Sequence, residues 1–365
     1  MSWNSVRELF PASRVVTYLD TAAYGPGPTP VYEAVERALR AWSEGHGDWR
    51  AWERSGERAR RLFAELLGVE STSVALLPTV SQAAAQVAER LEVRAGANLV
   101  VGAEEFRSNL YPWLAQERRG FEIRAVPFED GRLAAEAVVA ALDANTVAVA
   151  VSHVQSASGH RIDVETVAAA CRARGAALFL DATQSVGALA VPVESVDWLA
   201  VAAYKWLLAP RGAAFLYVRP ERCADLLPLA PGWKSPADPH AGYYGAPLDL
   251  AGDASRYDLS LAWPSWVGVE RALELILEVG PTRIHERNRR LTERFHAGLD
   301  GRAGPGARDT GSAIVGLPVR DPERLRRNLA KEGVVAAVRG DRLRLSFHFF
   351  NDEDDVDRAL FVLGS

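Results

Sequence analysis

The sequence predicts an α/β fold: a large domain with a mainly parallel central sheet covered by helices, joined to a small C-terminal α+β domain. Three observations carry this. Short apolar runs alternate with helical-period segments from about residue 30 to residue 220. Residues 228–264 break that pattern with a stretch rich in Pro, Gly and aromatics, and the alternation resumes after residue 312 as a compact unit. Strand–helix–strand repeats at this spacing require parallel strands joined by crossovers, with both sheet faces covered. The expected limits are 17–262 for the large domain, and 1–16 with 263–365 for the small one.

Residues 31–42 and 55–67 have apolar positions at helical spacing, and Gly68 stands where the second helix stops. Residues 73–77 read as a buried strand, followed by an Ala-rich helix at 81–91. Strands are expected at 98–101 and 123–126 with a helix near 109–119 between them, then a helix at 133–142, a strand at 146–151, a helix at 163–174, and strands at 177–180 and 197–201. The aperiodic stretch 228–264 is long enough to be functional or to lie at an interface. A long helix covers 266–299 with a break at Gly280-Pro281, and 301–311 reads as a linker. The C-terminal unit follows as strand 312–317, helix 321–332, strands 334–338 and 342–347, and helix 352–362.

Composition narrows the function classes. The 365 residues suit one large domain plus a smaller one. A formal net charge of −5 argues against nucleic acid as a partner. No apolar run reaches the ~18–20 residues that span a bilayer, and the start lacks the basic-then-apolar pattern of a secretory signal. A cytoplasmic location is therefore expected. Two isolated cysteines, Cys171 and Cys223, suggest neither a disulfide framework nor a metal site. No histidine pair has zinc-site spacing.

The chemistry lies where the large-domain strands end, the edge at which open parallel sheets bind ligands. Asp181 directly follows the apolar run 177–180, and a carboxylate there must meet a donor or a charge. A helix cap or a ribose ligand would serve; so would the protonated ring nitrogen of pyridoxal 5′-phosphate (PLP). Lys205, 24 residues on (205 − 181), sits between Ala203-Tyr204 and Trp206. A lysine among aromatics is often a snorkelling surface residue, but a desolvated amine loses proton affinity and attacks an aldehyde. The spacing from Asp181 favours that second reading. Thr79-Val80-Ser81 falls between a strand and a helix, either a simple cap or an anion site. Neither GxxxxGK[ST] nor GxGxxG is present, which disfavours nucleotides.

Asp181-Ala182-Thr183-Gln184-Ser185-Val186-Gly187, followed by Tyr204-Lys205-Trp206, resembles the most specific motif of the class V aminotransferase family. That family groups cysteine desulfurases, selenocysteine lyases, kynureninases and isopenicillin N epimerase-like enzymes within the fold-type I PLP-dependent enzymes. The resemblance runs from about Tyr18 to the C-terminus. It implies Lys205 as the Schiff-base lysine, Asp181 as the partner of the pyridine nitrogen, and Gln184 at the cofactor's phenolic oxygen. The segment Glu105 to Trp113 resembles both the selenocysteine-lyase and the kynureninase branch, which makes Phe106 the ring stacked on PLP and sets Asn109 toward the substrate. Ser152-His153-Val154-Gln155-Ser156 is similar to a family segment that puts His153 near the reacting centre and Ser156 at the cofactor.

The same resemblance implies a phosphate cup of Thr79, the Val80 backbone, Ser81 and Tyr204, with Ala202 where desulfurases carry a serine. Trp233 and Ser260 are similar to residues that reach PLP across a homodimer. Arg344, in Arg342-Leu343-Arg344-Leu345-Ser346, resembles the arginine that binds the substrate carboxylate, for which a guanidinium fork is suited. Leu19-Asp20-Thr21-Ala22-Ala23-Tyr24-Gly25 is similar to the segment lining the same pocket, with Tyr24 toward the substrate. One departure matters: Val334 to Asp341 holds no cysteine, so a persulfide-forming cysteine desulfurase is disfavoured. The expected function is a PLP-dependent aminotransferase or C–S/C–C lyase acting on an amino acid. An amino-acid epimerase or a non-catalytic PLP-binding protein is the alternative.

Overall fold

The computed structural model describes residues 1–299 and 311–364. The stretch read as a linker, 301–311, lies outside the described residues except for Gly311. Helix α1 (Trp3–Glu8) and the short strand β1 (Thr17–Tyr18) open the chain, followed by α2 (Thr29–Ser43) and α3 (Trp49–Leu67). Helix α3 starts six residues before the expected position because Asp48 caps it, its carboxylate accepting the Ala51 N–H.

The large sheet is built from β2 (Val74–Leu77), β3 (Asn98–Gly102), β4 (Glu122–Val126), β5 (Thr146–Ser152), β6 (Ala177–Asp181), β7 (Trp198–Ala202) and β8 (Ala214–Val218). Helices α4 (Val80–Ala88), α5 (Arg107–Leu114), α6 (Ala135–Ala141) and α7 (Val164–Arg174) lie in the connections. The strand order is β2-β8-β7-β6-β5-β3-β4, and β8 alone runs antiparallel to its neighbours. Both faces are buried, as the fully apolar strands require. Leu199 and Val201 of β7, with Leu178 and Leu180 of β6, enter one core. Trp198, Ala200 and Phe179 alternate with them and enter the other. The sequence places a strand just before Cys223, and β8 fills it; its direction was not anticipated, since it doubles back between β2 and β7 and gives the sheet an antiparallel member.

The stretch 228–264 is irregular, as expected, but fastened. Lys234 is buried and paired with Glu53 at 2.8 Å and Glu57 at 3.1 Å. Asp258 accepts the Leu76 N–H at 2.8 Å and pairs with the buried Arg60. Beyond it come α8 (Trp263–Val279) and α9 (Pro281–Gly298), broken at Gly280 as the sequence indicates. Then follow β9 (Ile314–Pro318), α10 (Pro322–Lys331), β10 (Val334–Val335), β11 (Ala337–Arg339), β12 (Arg342–Ser346) and α11 (Glu353–Gly364). The expected strand 334–338 is thus two. Its first half pairs in parallel with β1, and its second half pairs with β12 in the three-stranded sheet β11-β12-β9. That sheet has its own core of Val315, Leu317, Leu343, Leu345 and Phe347 under α9, α10 and α11. Helix α8 packs Trp266, Val269, Leu273 and Ile276 into the large-sheet core, which Val6 and Phe10 from the N-terminus also join.

Removing one member of a buried ion pair leaves the other charge stranded. Asp258→Ala is expected to lower unfolding stability by ~3–5 kcal/mol, read from the midpoint of chemical denaturation. Glu293→Ala, opposite Arg289 on an exposed helix face, is expected to change it by less than ~0.5 kcal/mol.

Candidate active site

Because β8 is the only reversed strand of this sheet among the described residues, the carboxyl ends of β2, β3, β5, β6 and β7 open onto one edge of the sheet together with the start of β8. A cavity of ≈ 280 Å³ lies there, lined by Thr79, Val80, Ser81, Phe106, Ser152, Ser156, Asp181, Thr183, Gln184, Tyr204, Lys205 and Arg211. The fold thus gathers residues spread over more than a hundred positions of sequence.

Lys205 follows β7 and is 5% exposed. Its Nζ lies 5.2 Å from the centre of the Phe106 ring and 5.8 Å from that of Tyr204, and it forms no hydrogen bond or ion pair with a described residue. Burial outweighs the pull of Asp181 and brings its amine down to about 8; the positive charges of Arg344, Arg339 and Arg211 act in the same direction as burial. The turn carrying it is tightly held. Leu208 N–H donates to the Lys205 carbonyl at 3.0 Å, with Leu208 in the left-handed region at φ 58°, a cost borne next to the reactive group. On the other side, Gly25 N–H donates to the Tyr204 carbonyl at 2.9 Å, and a Cβ at Gly25 would fall on the Lys205 carbonyl oxygen.

Asp181 ends β6. Its Oδ1 accepts the Thr183 N–H at 2.9 Å, and burial raises its carboxyl above the ordinary range while Lys205 lowers it. Thr79 caps α4, accepting the Gln82 N–H, so the backbone N–H groups at the start of that helix face the cavity beside the hydroxyl of Ser81. Tyr204 lines the same end with Arg211, whose guanidinium lies 4.6 Å from the Tyr204 ring centre. Gln184 lines the cavity with its amide engaged. Nε2 donates to Ala22 O at 3.0 Å and to Ser156 Oγ at 3.1 Å, and Oε1 accepts from Trp206 Nε1 at 2.8 Å.

Arg344 approaches from β12. It is 3% exposed, with Nη1 donating to Ser156 O at 2.9 Å and to Ser156 Oγ at 3.2 Å, and Nη2 paired with Asp20 at 2.7 Å. Its buried Nε has no partner. Tyr24 is exposed beside this group, its carbonyl accepting from Tyr18 Oη at 2.8 Å.

Six anticipated residues do not line the cavity itself: Arg344, which stands behind Ser156, Tyr24, and four others. His153 sits between Ser152 and Val154, which both face the cavity, so strand alternation turns its ring away. There it is buried, pushed down to about 4 by desolvation, and stays neutral. Asn109 lies under the start of α5, its Nδ2 directed at Glu105 and its Oδ1 accepting from Trp113 Nε1. Trp233 Nε1 donates to Ser260 Oγ at 2.9 Å, and neither lines the cavity of its own chain.

Sequence reasoning missed Glu105, Thr183 and Arg211. Glu105 is buried and accepts from Ser152 N–H at 2.8 Å, Ser152 Oγ and Gln155 Nε2 at 2.8 Å, tying the base of Phe106 to the end of β5. Its signal was the one that revealed Asp181, a carboxylate just beyond a buried strand. Arg211 had no such signal, because its relevance depends on β8 returning to the same edge.

The donor set matches PLP group by group. A neutral-capable amine suits an aldehyde, and a buried carboxylate suits a pyridinium N–H. Helix N–H groups, hydroxyls and Arg211 suit a phosphate, and the flat face of Phe106 suits a ring. Comparison with known proteins agrees. Residues 17–359 match the family model described as aminotransferase class-V. An uncharacterized aminotransferase of Bacillus subtilis is 29% identical, over 97% of this chain and 95% of its own. The isopenicillin N epimerase of Streptomyces clavuligerus is 26% identical, over 99% and 98%. Among solved structures, the cystine C–S lyase C-DES in complex with cysteine persulfide superposes with a TM-score of 0.88 at 21% identity, covering 98% of this chain and 99% of that one.

A neutral amine is the reactive form, so its chemistry follows its deprotonation. In cofactor-free protein, the rate of reductive methylation of Lys205 by formaldehyde and cyanoborohydride, followed by peptide mass, is expected to rise through about pH 8 and level off above it. In Asp181→Asn the supporting negative charge is gone, and the midpoint is expected to move to lower pH. A midpoint near that of a free lysine in the unsubstituted protein would contradict the burial described.

Proposed function

The chain belongs to the class-V aminotransferase family, and we propose that it acts on an α-amino acid as an aminotransferase or a C–S/C–C lyase, with Lys205 both as the anchor of the cofactor and as the proton carrier at Cα. The enzyme is PLP-dependent. When bound, PLP supplies an aldehyde that condenses with amines and a protonated ring that takes up the electron pair left at Cα. The observation that carries the reading is the buried, unpartnered Lys205 amine sharing one cavity with the Asp181 carboxylate.

Each residue then has a task. Lys205 Nζ would hold the cofactor's aldehyde carbon and, its proton loosened by burial, would stand within short range to take the proton from substrate Cα. Asp181 keeps a proton at the ring nitrogen. Thr79, Val80, Ser81, Tyr204 and Arg211 hold the phosphate, and Phe106 covers the ring. Arg344, held behind the cavity wall by Ser156 and Asp20, is the guanidinium for the substrate carboxylate. Phe106 has no proton to give, so Lys205 is the proton carrier on this wall, which favours transfer or elimination over a two-base epimerisation. Both cysteines are buried, and burial pushes Cys171 up to about 12, so neither supports persulfide chemistry.

We further propose a cytoplasmic homodimer in which Trp233 and Ser260 face the partner's cavity. Their position away from their own chain's cavity supports this, as do the exposed Tyr243, Tyr244 and Leu248 on the same loop. Among the described residues no helix is long and apolar enough to cross a membrane. Of the proposed division into 17–262 and 1–16 with 263–365, the separate core of the three-stranded sheet supports a distinct C-terminal unit, whereas α8 and the N-terminal Val6 and Phe10 pack with the large sheet and speak for assigning them there.

Borohydride treatment of the holoenzyme is expected to fix the cofactor to the peptide containing Lys205, and Lys205→Ala is expected to abolish that adduct. An adduct elsewhere would end the assignment. Product analysis separates the two reaction types: pyruvate with ammonia marks elimination, and a pyridoxamine form of the cofactor marks transfer. Sedimentation is expected to give twice the 39.7 kDa chain mass; a monomer at working concentration would remove the dimer.

A further inference from the structure

Strand β12 has two faces of opposite character. Leu343 and Leu345 point into the small core. Arg342, Arg344 and Ser346 alternate with them and take the other face. That face borders the cleft. Arg344 bonds Ser156 and Asp20, and Ser346 Oγ accepts the Ala22 N–H at 3.0 Å. Gly316, directly across from Arg344 in β9, lies so close to Ser158 that an added Cβ would come within 3.0 Å of its Cα.

Across the other side of β12, Arg344 pairs with Ala337 and Arg342 pairs with Arg339 of β11. Directly paired residues project to the same side, so Arg339 shares the cleft-facing side with Arg344. Strand β11 is the free edge of this sheet, and Arg339 is exposed on it. Arg339 and Arg342 are like charges set opposite one another, an arrangement that destabilises a strand pair. Among the described residues neither has a carboxylate partner or a side-chain hydrogen bond. The charge of Arg339 is felt by both Lys205 and Arg344, which brings it within electrostatic reach of the cavity.

The charges of a simple amino acid bound to PLP are otherwise accounted for: the phosphate by the start of α4 and Arg211, the ring nitrogen by Asp181, and the α-carboxylate by Arg344. Arg342 and Arg339 are left over on this face, and of the two Arg339 is the one on the exposed free edge, whose charge acts on Lys205 and Arg344. We propose that Arg339 binds a second negative group on the substrate, so that the preferred substrates are amino acids with an acidic side chain. This inference rests on the PLP-enzyme reading above and adds the substrate class to it.

The test is a titration of holoenzyme with L-aspartate, L-asparagine, L-glutamate and L-glutamine, followed by the absorbance change of the bound cofactor. Each acid and its amide have nearly the same shape and differ in charge. At least one acid is expected to bind about tenfold or more tightly than its amide. In Arg339→Gln that acid-to-amide ratio is expected to fall toward one, whereas Arg342→Gln, which removes the same charge from the neighbouring strand, leaves it near the unsubstituted value. Equal binding of acid and amide, or an equal loss in both substitutions, would overturn the role of Arg339. If no amino acid perturbs the cofactor and borohydride fixes nothing to Lys205, the enzyme reading itself falls and takes this inference with it. The borohydride adduct persisting while the acid preference is absent sinks the substrate class alone.

Discussion

The withdrawal of one amine from water governs this molecule. An exposed lysine is a cation at neutral pH and a poor nucleophile; Lys205 is neither exposed nor paired, and its proton is loosely held as a result. Keeping it that way requires walls. The close-packed edge of the sheet supplies them on one side, with Phe106 and Tyr204 on the others. The same edge buries Asp181, whose negative charge draws the lysine back toward protonation. The two effects oppose one another, and burial wins, leaving an amine whose protonation changes within the range of ordinary buffers.

The second organising element is the way the cleft is closed by distant chain segments. Strand β1 pairs with β10, the loop after it touches both the Lys205 turn and Ser346, and Asp20 pairs with Arg344. Residues near position 20, near 156 and near 344 thus form one polar cluster at the boundary between the large sheet and the three-stranded sheet. Arg344 is fixed by two anchors before any substrate arrives, and its orientation costs nothing further on binding.

Much of this was legible in the sequence, because the large sheet obeys local rules. Apolar runs bounded by helical periods gave the parallel strands, and a carboxylate and a lysine standing just beyond two of those runs gave the site. What stayed hidden depends on non-local geometry. Strand β8 follows a short loop and reads as one more apolar run; only its antiparallel pairing with β2 and β7 brings Arg211 to the cavity. His153 belongs to the right motif but falls on the wrong parity of its strand, so its neighbours Ser152 and Val154 take the cavity instead. The split of 334–338 into two strands follows from pairing with β1, more than three hundred positions away, which no local pattern encodes. Glu105 was in view as part of a motif, but its burial under four donors was not.

The N-terminal segment is therefore more than a leading tail. It carries the counter-ion of Arg344 and the glycine that lies against the Lys205 carbonyl. Proteolytic clipping between Asp20 and Tyr24 would leave every strand of the large sheet and both cysteines in place, and the remaining fragment would still look like a whole protein on a gel. Yet it would have lost one wall of the cleft and the partner of a buried guanidinium, so the intactness of the first two dozen residues is a better measure of a usable preparation than its apparent size.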